Sequence, residues 1–299
     1  MERSHVSLLY LLHLETKIVL LAFQSMLLGQ DDSEWEVPLR IILICGLAIA
    51  ASASGQTTEC AKITRSGDEV TMIADSIRVV DSIANTLAQR YGVLVTAEEP
   101  QYQFSEDSQD IRDADPDWSA QHPKAHYLVP KRRHMEIHFS VLPDGSPSDV
   151  SDLMRQVLEK ANQQTPFRYR LDVDGEFFSF VPTATRDAKG FVVAAMPLLD
   201  RRVTIPLGNR RVSESAKLMA DSLSAQTGLR VSCCQSNVEG IPWGHSSVPF
   251  EAHNETARNV LERLLRLESS PPRDYWLLRC DSGWCLINVQ SVWGAECRW

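Results

Sequence analysis

Two stretches of the chain carry the same sequence of apolar and polar positions. In the first, Ile77, Val80, Ala84, Leu87 and Tyr91 recur at helical spacing, and Val93 and Val95 then alternate as a strand. In the second, Val212, Ala216, Met219, Ala220 and Leu223 line one face of a helix, and Leu229 and Val231 follow as a strand. Ala84, Leu87, Gly92 and Val95 match Ala220, Leu223, Gly228 and Val231 at a constant offset of 136. Gly92 and Gly228 each sit where a helix must stop. Glycine is suited to that place because it takes the left-handed conformation without penalty.

The pattern after each strand also recurs. Met135, Ile137, Phe139 and Val141 alternate as a half-buried strand. Val150, Leu153, Met154, Val157, Leu158 and Ala161 then form a helical stripe, and Asp174-Gly175 turns a hairpin closed by Phe177–Val181. Further on, Val203 and Ile205 predict a leading strand, and Val248, Phe250 and Ala252 another. Asn254 is placed to cap a helix carrying Ala257, Val260, Leu261, Leu264 and Leu265. That helix matches the Val150 stripe at an offset of 107, and a hairpin from Tyr275 to Val289 closes the unit. The fall from 136 to 107 leaves 29 extra residues in the first half. A charged stretch, 104–133, has that size. It runs from the acidic Glu106–Asp117 to the basic Lys131–Arg133 and reads as a solvated insertion.

An α+β fold follows: two tandem β-α-β-β-α-β modules, each with two helices packed on a small sheet. The first module spans 70–183 and the second 202–291, with a polar leader over 56–69, a linker over 184–201 and a tail over 292–299. The linker contains the apolar run Phe191–Leu198, so a packed or strand-paired linker is expected rather than a free tether.

Composition narrows the partners. Hydrophobic residues make up 43% and charged residues 23% of the 299, as in a globular protein. The net charge of -9 argues against a nucleic-acid or anionic-lipid ligand, which needs a basic face. Near the start, Arg40, the apolar run Ile41–Ala51 and Ala51-Ser52-Ala53 have the form of a secretory signal peptide over 37–55. The run is too short to span a bilayer comfortably, so no stable span is expected after cleavage. Residues 1–36 form an uncertain extension, either preceding a true start near Val37 or making a membrane-associated helix. A periplasmic or secreted location is the expectation.

Six cysteines follow the signal peptide: Cys60, Cys233, Cys234, Cys280, Cys285 and Cys297. In an exported protein they are disulfide candidates, with the pairing open. Cys280 and Cys285 flank a turn and suit a cross-hairpin bridge. The spacing lacks the paired knuckles of a structural zinc site, and the acidic stretch lacks the glycine and terminal glutamate of a calcium loop. His134 and His138, on the polar face of a strand with Glu136, are the metal candidates, and His122 and His126 repeat their spacing. No nucleophile elbow, zinc-protease helix or phosphate loop is present. No cofactor is expected.

The segments ADSLSAQTGLRV (Ala220–Val231) and NETARNVLERLL (Asn254–Leu265) together resemble the secretin and TonB short N-terminal domain. ANTLAQRYGVLV (Ala84–Val95) resembles it less closely. The resemblance implies a small docking module of the cell envelope. The channel or receptor barrel that accompanies it in that family has no counterpart in this sequence, and the Gly-Thr-Gly-Leu after the second helix is replaced by Leu267–Arg273. The expectation is a non-enzymatic binding or scaffold protein that docks an envelope protein. The alternative is a secreted enzyme or metal-binding protein using the histidines of the insertion.

Overall fold

The computed structural model describes residues 59–114, 120, 128–233, 246–269, 273–281 and 283–292. The expected signal peptide and N-terminal extension lie outside the described residues, as do His122, His126, Cys234 and Cys297. Among the described residues, no helix is long and apolar enough to cross a membrane.

The fold is α+β, with strands outnumbering helices. In the first half the elements are β1 (Lys62–Ser66), β2 (Glu69–Ser76), α1 (Val79–Tyr91), β3 (Leu94–Glu99), β4 (Ser108–Asp110), α2 (Ile111–Ala114), β5 (Leu128–Pro130), β6 (Arg133–Ser140), α3 (Val150–Gln164), β7 (Arg168–Asp174) and β8 (Phe177–Arg186). The linker holds β9 (Val192–Ala194). The second half contains β10 (Arg202–Arg211), α4 (Val212–Thr227), β11 (Arg230–Cys233), β12 (Ser247–Thr256), α5 (Ala257–Glu268), β13 (Asp274–Asp281) and β14 (Trp284–Ser291).

Both halves follow one pairing plan. The strand before the first helix pairs antiparallel with the strand before the second: β2 with β6, and β10 with β12. The strand after the first helix pairs parallel with the last strand of the hairpin. Leu94–Ala97 lie against Phe177–Phe180, and Arg230–Cys233 against Trp284–Ile287. These partners differ between halves by 136 on one strand and 107 on the other, the two offsets found in the sequence.

The halves do not carry separate sheets. Leu277, Leu278 and Arg279 of β13 pair parallel with Ala97, Glu98 and Glu99 of β3. One continuous sheet results, in the order β11-β14-β13-β3-β8-β7, with β9 paired to the far end of β8. Successive side chains on a strand point to opposite faces. Glu98 meets Arg258 of α5, and Glu99 meets Arg78 at the start of α1. The helices α1 and α5 therefore cover opposite faces of the sheet. Each helix reaches across the seam: Asn85 of α1 accepts from the Tyr275 hydroxyl of β13, and Glu262 of α5 accepts from Ser179 of β8.

The core follows the helical stripes. Ile83, Ala84, Leu87 and Ala88 of α1 are fully buried, as are Ala216, Met219 and Leu223 of α4. In the other helix pair, Leu153, Met154 and Val157 of α3 correspond to Val260, Leu261 and Leu264 of α5, all buried, as are Ala161 and Leu265. Gly92 and Gly228 cap α1 and α4 at φ 67° and 73°. A β-carbon at Gly92 would meet nothing within 4 Å, so its replacement costs conformation alone. Gly92→Ala is expected to lower stability by about 1–2 kcal/mol, read as a shift of the urea midpoint at unchanged slope. Gly175 takes φ 58° in the β7–β8 turn.

Three expectations need correction. Asn254 does not cap α5. Strand β12 runs on to Thr256, whose side chain accepts from the Asn259 N–H and forms the cap. Asn254 instead takes φ 52° beside a register irregularity between β10 and β12, its N–H held by the Thr204 hydroxyl. The polar leader holds β1, which pairs along β2 from Lys62 to Ser66. An exposed edge strand has no need of apolar alternation. The insertion is partly folded: β4 pairs with β5, and Ile111, Ala114 and Val129 form a small cluster with Ile77.

Candidate functional site

The polar chemistry of this protein concentrates at the seam between the halves. Glu98 is 2% exposed and Arg258 5%. Arg258 Nη2 donates to Glu98 Oε2 at 3.0 Å and to Asp200 Oδ1 at 2.9 Å. Its guanidinium also lies 5.5 Å from the centre of the Trp276 ring. The Leu198 N–H donates to the other Glu98 oxygen. Asp200 carries the network outward to Arg170 of β7, 3.1 Å away. Burial pushes the Glu98 carboxyl up, and the Arg258 charge pulls it back.

A second network occupies the other face. Glu99 accepts from Arg78 at 2.9 Å and from the Tyr102 hydroxyl at 3.2 Å. Arg279 of β13 donates to Asp81 of α1 at 2.6 Å. Burial raises Glu99 as well, against the opposing charge of Arg78. On the Glu98 face runs a further buried chain: Thr96 donates to Ser179 at 2.7 Å, and Ser179 to Glu262 at 3.1 Å. Glu262 is pushed up to about 7, first by burial and then by Asp174. Its second oxygen, Oε2, is buried without a hydrogen-bond partner among the described residues. Glu98 pairs with Arg258 and Glu262 accepts from Ser179, so these two carboxylates join α5 to the first half.

The exposed features lie elsewhere. Strand β9 and its flanks present Phe191, Val192 and Met196 to solvent, 66%, 65% and 77% exposed. Among the described residues, β9 pairs only with β8, which leaves its other edge open. The turn before it is fixed by Asp187, which accepts from the N–H groups of Lys189 and Phe191. Gly190 packs against the Phe104 ring, and Arg186 lies 5.8 Å above that ring. An open cleft of about 430 Å³ lies between the β10–β12 ribbon and α5, lined by Leu207, Phe250, Arg263 and Leu267 among others.

The two histidines that the sequence offers as metal ligands, His134 and His138, stand on the exposed face of β6 with Glu136 between them. His138 Nε2 lies 3.2 Å from Glu136, and its Nδ1 lies 3.1 Å from the Thr71 hydroxyl. Among the described residues, no group of three or more histidine, cysteine or acidic side chains is placed to hold a metal ion. Cys280 and Cys285 are bonded across the β13–β14 pair, facing each other in register. Cys60 and Cys233 each take part in a disulfide as well, with partners outside the described residues. No family model, curated protein or solved structure matches this chain.

Sequence reasoning missed the seam residues. Glu98 and Glu99 end a strand and precede Pro100, so they read as a solvated strand end. Arg258 and Glu262 fall on what looks like the polar face of an amphipathic helix. The available signal was their spacing: Arg258, Glu262 and Arg266 are each four apart and form one stripe. That stripe meets Glu98, Ser179 and Asp174 of the first half.

Proposed function

We propose that this chain is an exported binding or scaffold protein, built from two modules resembling the secretin and TonB short N-terminal domain, that docks a protein of the cell envelope. The observation that carries this reading is the β9 edge. A short unpaired edge flanked by large exposed apolar side chains is the surface on which an extended segment of a partner adds as a further strand. Backbone groups supply the affinity in that mode, and alternate side chains the selectivity. The repeated pairing plan and the sequence resemblance support a modular scaffold. The enclosed seam carboxylates support a binding role over acid–base chemistry.

The test is photocrosslinking in intact cells of the source organism, with the probe at Val192. A covalent adduct with a distinct protein is expected. Replacing Phe191, Val192 and Met196 together by serine should lower partner recovery about tenfold or more, as for loss of interface anchors. Adducts confined to copies of this chain, or partner recovery unchanged by the triple substitution, would sink the docking role of β9.

A further inference from the structure

We infer that the segment that adds to β9 is a short, uninterrupted apolar strand flanked at both ends by carboxylates. The inference rests on the docking reading and names the chemistry of the partner at that same edge.

Local hydrogen bonds fix which backbone groups are on offer. The Gly190 N–H donates to the Asp187 C=O, and Gly190 takes φ 85°. This is the hairpin loop in which a left-handed residue follows a type I turn. The Asp187 N–H donates to the Phe191 C=O, and the Ala195 N–H to the Thr183 C=O. Phe191, Val193 and Ala195 therefore turn their backbone to β8, and by alternation Val192 and Ala194 turn theirs to the open edge. The hairpin is braced before a partner arrives. A β-carbon at Gly190 would lie 2.9 Å from the Phe104 ring, and Arg186 is held by Asp107 at 3.3 Å. An edge fixed in this way loses little freedom on binding.

The side chains define what kind of strand fits. Val192 stands directly opposite Arg186 of β8, and Val193 opposite Thr185. Val192 and Ala194 thus project from one face, and Phe191 and Val193 from the other. All four are exposed. An added strand meets apolar side chains on both of its faces. A strand that alternates apolar and polar residues would leave its polar side against one of these apolar faces. A strand covered on both faces is a continuous apolar run.

Charge sets the ends. Lys189 lies just before the run Phe191–Met196, and Arg201 reaches its far end, with Nη2 3.5 Å from Met196 Sδ. Among the described residues, neither cation has a carboxylate partner. The carboxylates that touch the hairpin are already engaged. Asp187 accepts from the N–H groups of Lys189 and Phe191, and Asp107 lies between Arg133 and Arg186. The same two cations disfavour a second copy of this chain as the occupant. Antiparallel pairing of β9 with itself sets Lys189 of one copy toward Arg201 of the other, and parallel pairing sets each cation beside its own equivalent. Like charges brought together across an interface are costly. Carboxylates at both ends of the partner strand meet a cation whichever way that strand runs.

Fluorescence anisotropy with the purified full chain tests the inference. The probe is a labelled peptide with a short run of valines between aspartates. One control peptide carries lysines in place of the aspartates, and another carries serine at every second valine. The aspartate peptide should bind at least about tenfold more tightly than either control. Its lead over the lysine peptide should shrink to under about threefold in about 1 M salt, where exposed charges are screened. Lys189→Glu combined with Arg201→Glu should reverse the order of the two charged peptides at an unchanged urea midpoint, since neither side chain makes the bonds that fix the turn. Val192→Pro removes an outward N–H from an edge strand, a position where proline is tolerated, and should weaken the aspartate peptide at least about tenfold. Equal binding of the aspartate and lysine peptides, equal binding of the alternating peptide, or no binding of any peptide would overturn the inference. The photocrosslink at Val192 then separates the two readings. An adduct with a distinct protein keeps the docking role and discards only this partner chemistry.

Discussion

Arg258→Ala is expected to destabilise the fold by about 3–5 kcal/mol, the range for removing one partner of a buried ion pair. The substitution leaves the Glu98 carboxylate enclosed with only the Leu198 N–H, and it strips Asp200 of its inner partner. It also removes the cation from the face of Trp276. Much of the loss is the penalty of a stranded charge rather than the net worth of the pair. Removing both charges is therefore expected to be milder. Glu98→Gln with Arg258→Met should recover most of the loss, because well-packed neutral groups avoid the desolvation of both ions. Equilibrium urea unfolding reads both effects. A single substitution costing under about 1 kcal/mol would show that Arg258 is not what satisfies Glu98.

Stability should fall as pH rises from about 4.5 to about 7. Glu262 titrates at about 7 in the folded chain against an ordinary value of 4.5. Within that window the folded state keeps a proton that the unfolded state has released, so unfolding becomes easier with each step in pH. The contribution is fully present below 4.5 and lost above 7. It amounts to at most about 3 kcal/mol, from about 1.36 kcal/mol per unit. Burial shifts Glu98 and Glu99 in the same direction, so they deepen the trend. Asp144 and Asp152 are shifted down from 3.8, and their contribution is lost only at pH values below this window. Glu262→Gln keeps an acceptor for Ser179 without a charge to bury. It should flatten the slope and raise stability at about pH 8. A slope equal to that of the parent chain would rule out Glu262 as its source.

Local order was largely legible in the sequence. The stripes of α1, α3, α4 and α5 mark buried faces, and Gly92 and Gly228 mark the ends of α1 and α4, because helix periodicity and left-handed stops are written within a few residues. The offsets 136 and 107 reappear as strand register for the same reason: a duplicated pattern repeats its own pairings. What escaped depends on distant chain. β1 is a short edge strand that lacks alternation, and only its partner makes it a strand. Asn254 has the chemistry of a cap, but the run of β12 against β10 decides where the helix starts. The seam was invisible because Glu98 finds Arg258 only after 160 residues. No local window distinguishes a carboxylate bound for solvent from one bound for a buried arginine.

The β3–β13 pairing also sets a timetable. Ala97 meets Leu277 across 180 residues of chain. Contacts of such long range are slow to form, because the loop must close before the contact repays it. Until β13 exists, the first half lacks the strand that covers its edge, and α5, which supplies the counter-charge for Glu98, precedes β13 by only a few residues. A growing chain thus carries an unfinished sheet edge through most of its own synthesis, and the end of the second half is what releases the first from waiting.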